Sequence, residues 1–222
     1  MKRFKVIACE VAFRELCFCA SQSSAVVDFS FMPRRLHVVG SKEMRETLQS
    51  EIDSVDVDKY QAILLAYGRC GNGVVGLHSK LPMVIPKAQD CISLFLGCKH
   101  RYADFQKEHP KAFYLTPGWV EREMVPTQGS LLENLSRYKS VLREIVFLDT
   151  GVGHIEEFKA ELLEDAESAD WLFTDIKGDN SLLSKLLNGE WNEEDFAIIP
   201  PNHTIVGPIE GDIIGYAAEE LS

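Results

Sequence analysis

Short runs of apolar residues recur along the chain, and segments with helical spacing separate them. Four runs rich in branched apolar residues predict buried strands, at 4–8, 61–67, 83–86 and 145–148. Met44, Leu48 and Ile52 follow Ser41 at intervals of three and four residues, which predicts an N-capped amphipathic helix. Strands that alternate with helices are typical of parallel sheets. The pattern therefore predicts an α/β fold with a mainly parallel, Rossmann-like sheet and helices on both faces, in one body or two small lobes.

Weaker patterns complete the predicted order of elements. Residues 35–40 are compatible with a strand or strand end, and residues 120–141 carry leucines at helical spacing. A short strand is predicted at 171–176, and a last strand within 196–205.

Length and composition are those of one ordinary globular domain. The chain has 222 residues, of which 45% are hydrophobic and 26% charged, which suffices for one full core. We predict a single α/β domain over residues 1–206 and an irregular, acidic tail over 207–222.

The charge balance limits the classes of partner. A net charge of −11 argues against a nucleic-acid surface, because phosphate binding needs clustered Lys and Arg. No apolar run approaches the length of a membrane span, and no signal-peptide cleavage pattern is present. We therefore predict a cytoplasmic protein with a small-molecule ligand and with no nucleic-acid or membrane partner.

Chemically capable residues follow four of the predicted strands. Cys9, Cys70, Cys91 and Asp149 all lie at strand-to-helix junctions. The carboxyl ends of parallel strands share one edge of a sheet, and open α/β sheets bind ligands beyond that edge, where the strand order reverses. The sequence therefore predicts one site at this edge, although any single cysteine at a strand end is equally compatible with packing.

The cysteines favour a metal site over a disulfide framework. Six cysteines without an export signal are more typical of thiols or ligands than of disulfides. Cys9, Cys70 and Cys91 would offer three soft ligands and an open fourth position, which suits Zn²⁺, Cu⁺ or an iron–sulfur cluster. Cys17 and Cys19 lie two residues apart in a predicted helix, so they do not face each other and are interpreted as core or lining residues.

A glycine-rich turn connects the first central strand to the next. Residues 71–76 match GxGxxG after a strand, but a dinucleotide site is disfavoured because Pro86 and the residues after it separate the next strand from Asp90. A tight turn that exposes Cys70 is the simpler interpretation. The predicted ligand cradle comprises Gly71, Asn72, Gly73, Asp149 and Gly151.

Several segments together resemble a known family. AYGRCGNGVVGL, VIPKAQDCISLFLG, YLTPGW, FLDTG and NGEW resemble domain-of-unknown-function family 1638 of bacteria and archaea, over residues 4 to about 200. The resemblance supports Cys9, Cys70, Asp90 and Cys91 as family positions, and it implies a His where this chain has Gln89. It assigns no reaction, but it implies a corrinoid protein or a methyltransferase as partner and a corrinoid as a further cofactor.

Three functional hypotheses follow. The leading one is a thiolate metal-binding protein that acts in corrinoid- or thiol-linked methyl transfer, with zinc or an iron–sulfur cluster as its cofactor. The alternatives are a non-enzymatic protein that binds a corrinoid or another anion, and a redox protein that uses Cys70 and Cys91 as a pair. The sequence does not decide whether the protein is an enzyme. His37 is predicted to lie near the thiols in the first case.

Overall fold

The elements follow the predicted alternation of strands and helices. The computed structural model describes residues 1–37, 39–97, 99–123, 141–208 and 213–218. The strands in these ranges are β1 (Arg3–Cys9), β2 (Val26–Met32), β3 (Ala62–Ala66), β4 (Met83–Pro86), β5 (Ala112–Leu115), β6 (Glu144–Asp149), β7 (Leu172–Lys177), β8 (Phe196–Ile199), β9 (His203–Val206) and β10 (Gly215–Ala218). The α-helices are α1 (Phe13–Gln22), α2 (Ser41–Asp53), α3 (Cys91–Leu94), α4 (Lys99–Glu108), α5 (Pro117–Glu123), α6 (Ile155–Ser168) and α7 (Ser181–Asn188).

The larger sheet carries the first four strands. Its order is β2-β1-β3-β4-β8, in which β2, β1, β3 and β4 are parallel and β8 pairs antiparallel with β4. The chain runs from β1 to β2 on one side and then crosses to β3 on the other side of β1. The strand order therefore reverses between β1 and β3, where such sheets bind ligands.

A second parallel sheet has the order β5-β6-β7. The predicted α/β class with mainly parallel sheets is confirmed. The expectation that the strand at 145–148 shares a sheet with the other three is wrong, because β6 is the central strand of this second sheet. Apolar runs identify a buried strand but not the sheet it joins, since pairing is non-local.

The two sheets share a hydrophobic core. Val146 and Leu148 of β6 pack in one cluster with Leu64 of β3 and Leu186 of α7. A second cluster fills the opposite face of the larger sheet, where Leu48 of α2 is buried. The larger sheet is thus covered on both faces, which explains its continuous apolar runs.

Three local predictions differ from the structure. Residues Arg34–His37 form a 3₁₀ turn rather than a strand. The last predicted strand is divided into β8 and β9 at Pro200 and Pro201, because proline lacks the N–H that a ladder needs. In the tail that was predicted to be irregular, β10 pairs antiparallel with β9.

Most of the helix predicted over residues 120–141 lies outside the described residues, apart from the end of α5 and residue 141. In the described parts of the chain, no helix combines the length and the apolar character that crossing a membrane requires.

A buried polar cluster connects α1 to the end of β6. Glu15 has no exposed surface, and its Oε1 accepts a 2.7 Å hydrogen bond from the Thr150 hydroxyl. The Asn180 amide donates to the Thr150 carbonyl oxygen at 2.8 Å. Glu15 Oε2 and Asn180 Oδ1 are buried without a hydrogen-bond partner. Burial raises the pKa of Glu15 more than the Thr150 hydrogen bond lowers it.

We expect Glu15→Gln to stabilise the protein at pH 8 by about 1 kcal/mol. Between the unfolded pKa of ~4.3 and the higher folded pKa, Glu15 is protonated in the folded protein and ionised in the unfolded chain. Wild-type stability therefore falls as pH rises through this range. The glutamine amide has no charge to bury, so we expect the free energy of unfolding of the variant to depend less on pH than that of the wild type. Urea unfolding at pH 5 and pH 8 measures both effects, with Glu43→Gln on the exposed face of α2 as control. A variant with the wild-type slope would show that Glu15 does not titrate in this window.

Candidate functional site

The carboxyl ends of β1 and β3, between which the strand order reverses, each lead into a cysteine, and the name cysteine crevice denotes the region between these strand ends. Cys9 is the last residue of β1, and Cys70 follows β3 after residues 67–69. The two thiols lie close enough to interact electrostatically, since Cys9 helps to raise the pKa of Cys70. The structure therefore brings two of the three predicted ligands to the point where the strand order reverses.

The loops after β3 and β4 lie side by side. The Arg69 N–H donates to the Ala88 carbonyl oxygen at 2.8 Å, and the Cys70 N–H donates to the Gln89 carbonyl oxygen at 3.0 Å. These bonds extend the pairing of the two strands beyond their ends. Cys91 begins α3 two residues after Gln89, so the second and third cysteines are carried by loops in direct contact.

Gly68 allows this contact. A Cβ on Gly68 would lie 2.6–2.8 Å from the backbone N, Cα and C atoms of Asp90. Distances below 3.0 Å force one of the two loops to move. The spacing of the Cys70 and Cys91 loops therefore depends on the absence of a side chain at residue 68.

Cys70 is the first of three consecutive residues with left-handed backbone conformation. The φ angles of Cys70, Gly71 and Asn72 are 45°, 63° and 70°. Only glycine adopts this region without cost, and other residues lose roughly 1–2 kcal/mol there. Strained conformations of this kind are concentrated at ligand and active sites, where the surrounding structure maintains them.

The glycines of the turn have different surroundings. Gly71 has open space on its Cβ side, which is compatible with a nearby ligand. In contrast, a side chain on Gly73 would overlap Met44 of α2, and one on Gly76 would lie 2.9 Å from Arg45 Cδ. Close packing of α2 thus explains Gly73 and Gly76 without a bound dinucleotide.

Each of two buried thiols has a polar neighbour. Cys9 Sγ lies 3.9 Å from His37 Nε2, and the Trp119 indole N–H donates to Cys91 Sγ at 3.2 Å. Cys9 and Cys91 are 4% and 7% exposed, so both thiols are largely shielded from water. The prediction that His37 lies near the thiols is confirmed for Cys9.

The thiols and Asp90 lie within electrostatic range of one another. Burial, then Asp90 and Cys9, raise the pKa of Cys70 to about 12. Burial, then Cys70 and Asp90, raise the pKa of Cys91 well above its usual value. Burial and the charge of Arg34 lower the pKa of the His37 imidazole, which favours the neutral form that binds metals.

Trp119 of α5, the helix that follows β5 of the second sheet, contacts this site. Its ring centroid lies 5.4 Å from that of His37, and the Arg34 guanidinium lies 5.1 Å from the Trp119 ring centroid. The neighbouring Gly118 packs against the Val11 carbonyl, with no room for a Cβ. The start of α5 therefore packs against the turn that follows β1, and Trp119 contacts Cys91 and His37.

Asp90 is held by its own neighbours. It caps α3 through the Ser93 backbone N–H at 3.0 Å, and Ser93 bonds back to the Asp90 N–H. The Tyr102 hydroxyl donates to Asp90 Oδ2 at 2.5 Å. Asp90 thus fixes the start of α3, and with it the position of Cys91.

Asp149 and Gly151 lie at the end of β6, in the second sheet. Asp149 Oδ1 accepts from the Gly151 N–H at 2.8 Å, and Oδ2 pairs with Lys159 at 2.7 Å. Burial raises the pKa of Asp149, but the hydrogen bonds from Lys159 and Gly151 outweigh it and lower the pKa overall. The prediction that Asp149 shares one sheet edge with the cysteines is wrong, because β6 lies in the second sheet. The assignment of Asp149 and Gly151 to a ligand cradle with Gly71, Asn72 and Gly73 stays a prediction.

The side chains of the crevice do not form a ready-made metal centre. Among the described residues, no group of three or more His, Cys, Asp and Glu side chains is arranged to hold a metal ion. One pair does fit, because tetrahedral zinc ligands at ~2.3 and ~2.0 Å lie roughly 3.5 Å apart, close to the 3.9 Å between Cys9 and His37. The assignment of Cys9, Cys70 and Cys91 as joint ligands stays a prediction.

Sequence reasoning missed Tyr67. Its ring is 2% exposed, and its hydroxyl is buried without a hydrogen-bond partner. Burial raises its pKa well above the usual value, and Cys9 and Cys70 add to the increase. Tyr67 closes an apolar run, and no local pattern indicates that its hydroxyl lies beside the thiols.

The fold and the cysteine crevice define an α/β protein with a thiol-lined strand edge. Over residues 31–187 the chain matches the model of the family described as "Protein of unknown function (DUF1638)", and it belongs to that family. The resemblance found in the sequence is thereby confirmed. Neither the curated proteins nor the solved structures contain a significant match.

Proposed function

We propose that Cys9, Cys70 and Cys91 together bind a thiophilic metal ion, such as Zn²⁺ or Cu⁺. The observation that carries the proposal is positional, because the three cysteines end or follow β1, β3 and β4, which are neighbouring parallel strands. Adjacent strands lie ~4.8 Å apart, so the ends of β1 and β4 lie roughly 10 Å apart on either side of β3, and side chains from all three strand ends can extend towards one ion beyond β3. Soft sulfur ligands select thiophilic metals.

The electrostatics of the crevice support a cation. Asp90 helps to raise the pKa of both Cys70 and Cys91, and Cys70 further raises that of Cys91, because negative charges in a buried space repel. A bound cation reverses this repulsion and favours the thiolates. His37 lies beside Cys9, and its lowered pKa makes it available as a neutral fourth ligand.

Metal binding requires a local rearrangement. The described side chains do not yet form a group of three ligands, so the proposal needs a change of side-chain rotamer at Cys70 or Cys91. The hydrogen bond from Trp119 to Cys91 is the interaction that would be exchanged. The loops of Cys70 and Cys91 are already joined by backbone hydrogen bonds, which supports their use in one site.

A bound zinc ion would supply Lewis-acid activation of a thiol, which methyl transfer to a thiol requires. Residues of the chain would hold the ion, orient His37 through Trp119 and exclude water from the crevice. The five described cysteines are free thiols, which suits a reducing compartment such as the cytoplasm.

A second candidate function is the binding of a small ligand without a metal. The observation that favours it is the buried, unpaired hydroxyl of Tyr67 beside Cys9 and Cys70. A ligand with a hydrogen-bond acceptor would satisfy this group. This alternative needs no stoichiometric metal, so one experiment separates the two functions.

The test is metal analysis of protein purified without oxygen. We expect about one equivalent of a thiophilic metal in the wild type, or full uptake after incubation with Zn²⁺. Cys9→Ser, Cys70→Ser and Cys91→Ser should each weaken Zn²⁺ binding by more than about 100-fold, beyond the effect of losing an outer-shell partner. Cys17→Ser, on the exposed face of α1, serves as control. Substoichiometric metal in wild type and control alike would contradict the proposal and favour the small-ligand alternative.

A further inference from the structure

Among the described strands, β2 is an edge strand of the larger sheet. It occupies the end of the order β2-β1-β3-β4-β8, and none of the described strands pairs with its outer side. All seven residues of β2 are half-buried, rather than alternately buried and exposed. This pattern indicates exposure along the strand edge, where unpaired backbone N–H and C=O groups lie.

Within β2 itself, few of the features that normally prevent pairing at a sheet edge are present. Proteins protect edges with short strands, bulges, prolines or charged residues, above all lysine. β2 runs for seven residues in unbroken register with β1 from Val26 to Met32, without proline or lysine. Its only charge is Asp28, which is engaged by Arg3 and Lys59 of its own chain.

Aromatic side chains line one face of the same edge. Phe29 and Phe31 stack with ring centroids 5.2 Å apart, and Phe13 of α1 meets Phe31 edge-on at 5.0 Å. Phe13 is 40% exposed and the nearby α1 residue Phe18 is 47% exposed. An apolar strip with an open backbone edge marks an interaction surface.

The direction of the backbone groups defines how a partner strand can pair. The Val26 N–H donates to Lys2 across the β1 side at 2.9 Å. In a parallel ladder, alternate residues bond to the neighbour, so Val27, Phe29 and Phe31 direct their backbone groups outward. A partner strand must therefore pair with these three residues.

A second copy of β2 satisfies this requirement. In antiparallel pairing about a two-fold axis at Phe29, Phe29 meets Phe29 of the copy, and Val27 meets Phe31. All outward-facing groups then bond to one another, and all seven residues of each strand are paired. Asp28 lies opposite Ser30, so no like charges face each other. A two-fold axis at Asp28 would instead place the two Asp28 carboxylates directly opposite each other, which is destabilising.

We propose that the protein forms a two-fold symmetric dimer through antiparallel pairing of β2 with β2 of a second copy, centred on Phe29. The interface is isologous, as is usual for homodimers. It joins two five-stranded sheets into one continuous sheet and stacks the Phe29 rings of the two copies. It does not depend on metal binding, since the cysteine crevice lies at the ends of the strands.

The test is the mass in solution by sedimentation equilibrium at about 150 mM salt, which limits repulsion between two chains of charge −11. We expect a dimer of the 25.0 kDa chain. Phe29→Lys places two lysines opposite each other at the two-fold axis and should raise the dimer dissociation constant more than about tenfold. Leu172→Lys, at the exposed edge strand β7, should leave it unchanged.

A paired substitution tests the register itself. Val27→Lys and Phe31→Glu should each weaken the dimer, and the double variant should restore it, because the introduced lysine of one copy then meets the introduced glutamate of the other. Circular dichroism on each variant verifies that the chain is folded. A wild type that is monomeric up to about 100 µM, or a dimer that Phe29→Lys leaves intact, would overturn the proposal. Failure of the double variant to recover would overturn the register.

Discussion

Gly118→Ala is expected to reduce the free energy of unfolding by about 3 kcal/mol, the upper end of overpacking costs. A methyl group on Gly118 would overlap the carbonyl oxygen of Val11. Val11 is fully buried in the turn after β1, so neither backbone segment can move into solvent to relieve the overlap. A typical domain has only about 5–15 kcal/mol of stability, and the loss would be a large share of it.

Urea unfolding monitored by circular dichroism measures this loss. Gly151→Ala is the matched control, because Gly151 has open space around it and only a positive φ of 72° to strain the new side chain. We expect about 1 kcal/mol for the control. Equal losses in the two variants would show that α5 does not pack firmly on the end of β1.

Gly68→Ala is expected to abolish tight metal binding, with at least about a 100-fold loss of affinity. The new Cβ would lie 2.6–2.8 Å from the Asp90 backbone and would separate the loops that carry Cys70 and Cys91. The hydrogen bond from the Cys70 N–H to Gln89 would then lengthen or break. Three thiols can share one ion only if these loops keep their spacing.

The control for this variant lies in the same loop. Gly71→Ala has no atom within 4 Å of its Cβ, and only its φ of 63° opposes the substitution. We expect it to cost about 1 kcal/mol of stability and to change Zn²⁺ affinity far less. If both variants bind Zn²⁺ like the wild type, the contact between the loops has no part in the site.

The strand ends could be predicted from the sequence because buried parallel strands are continuous apolar runs. The runs before Cys70 and Cys91 are of this type, and Cys9 closes a third. The rule for ligand sites in α/β sheets then predicted the neighbourhood of Cys9 and Cys70. Asp149 met the same local criteria but belongs to another sheet, which no local pattern reveals.

Contacts between distant segments could not be predicted. Trp119 follows a Pro-Gly turn, and no local pattern indicates that its indole N–H reaches Cys91 across 28 positions of sequence. Glu15 lies in a segment with helical spacing, and only the approach of Thr150 shows how its carboxyl group is accommodated in the interior. Likewise, no local pattern indicates that residues 26–32 form an edge strand, since an apolar run is the same in a central strand and in an edge strand.

The number of protons released when Zn²⁺ binds tests the three-thiol site most directly. Cysteine is mainly protonated at pH 7, and the raised pKa values of Cys70 and Cys91 strengthen this, so each thiol that becomes a ligand must lose its proton. Calorimetric titration in two buffers of different ionisation enthalpy gives the count. We expect about three protons per ion in the wild type and fewer in Cys70→Ser. Binding that releases about one proton or none, or no binding, would contradict a site made by Cys9, Cys70 and Cys91.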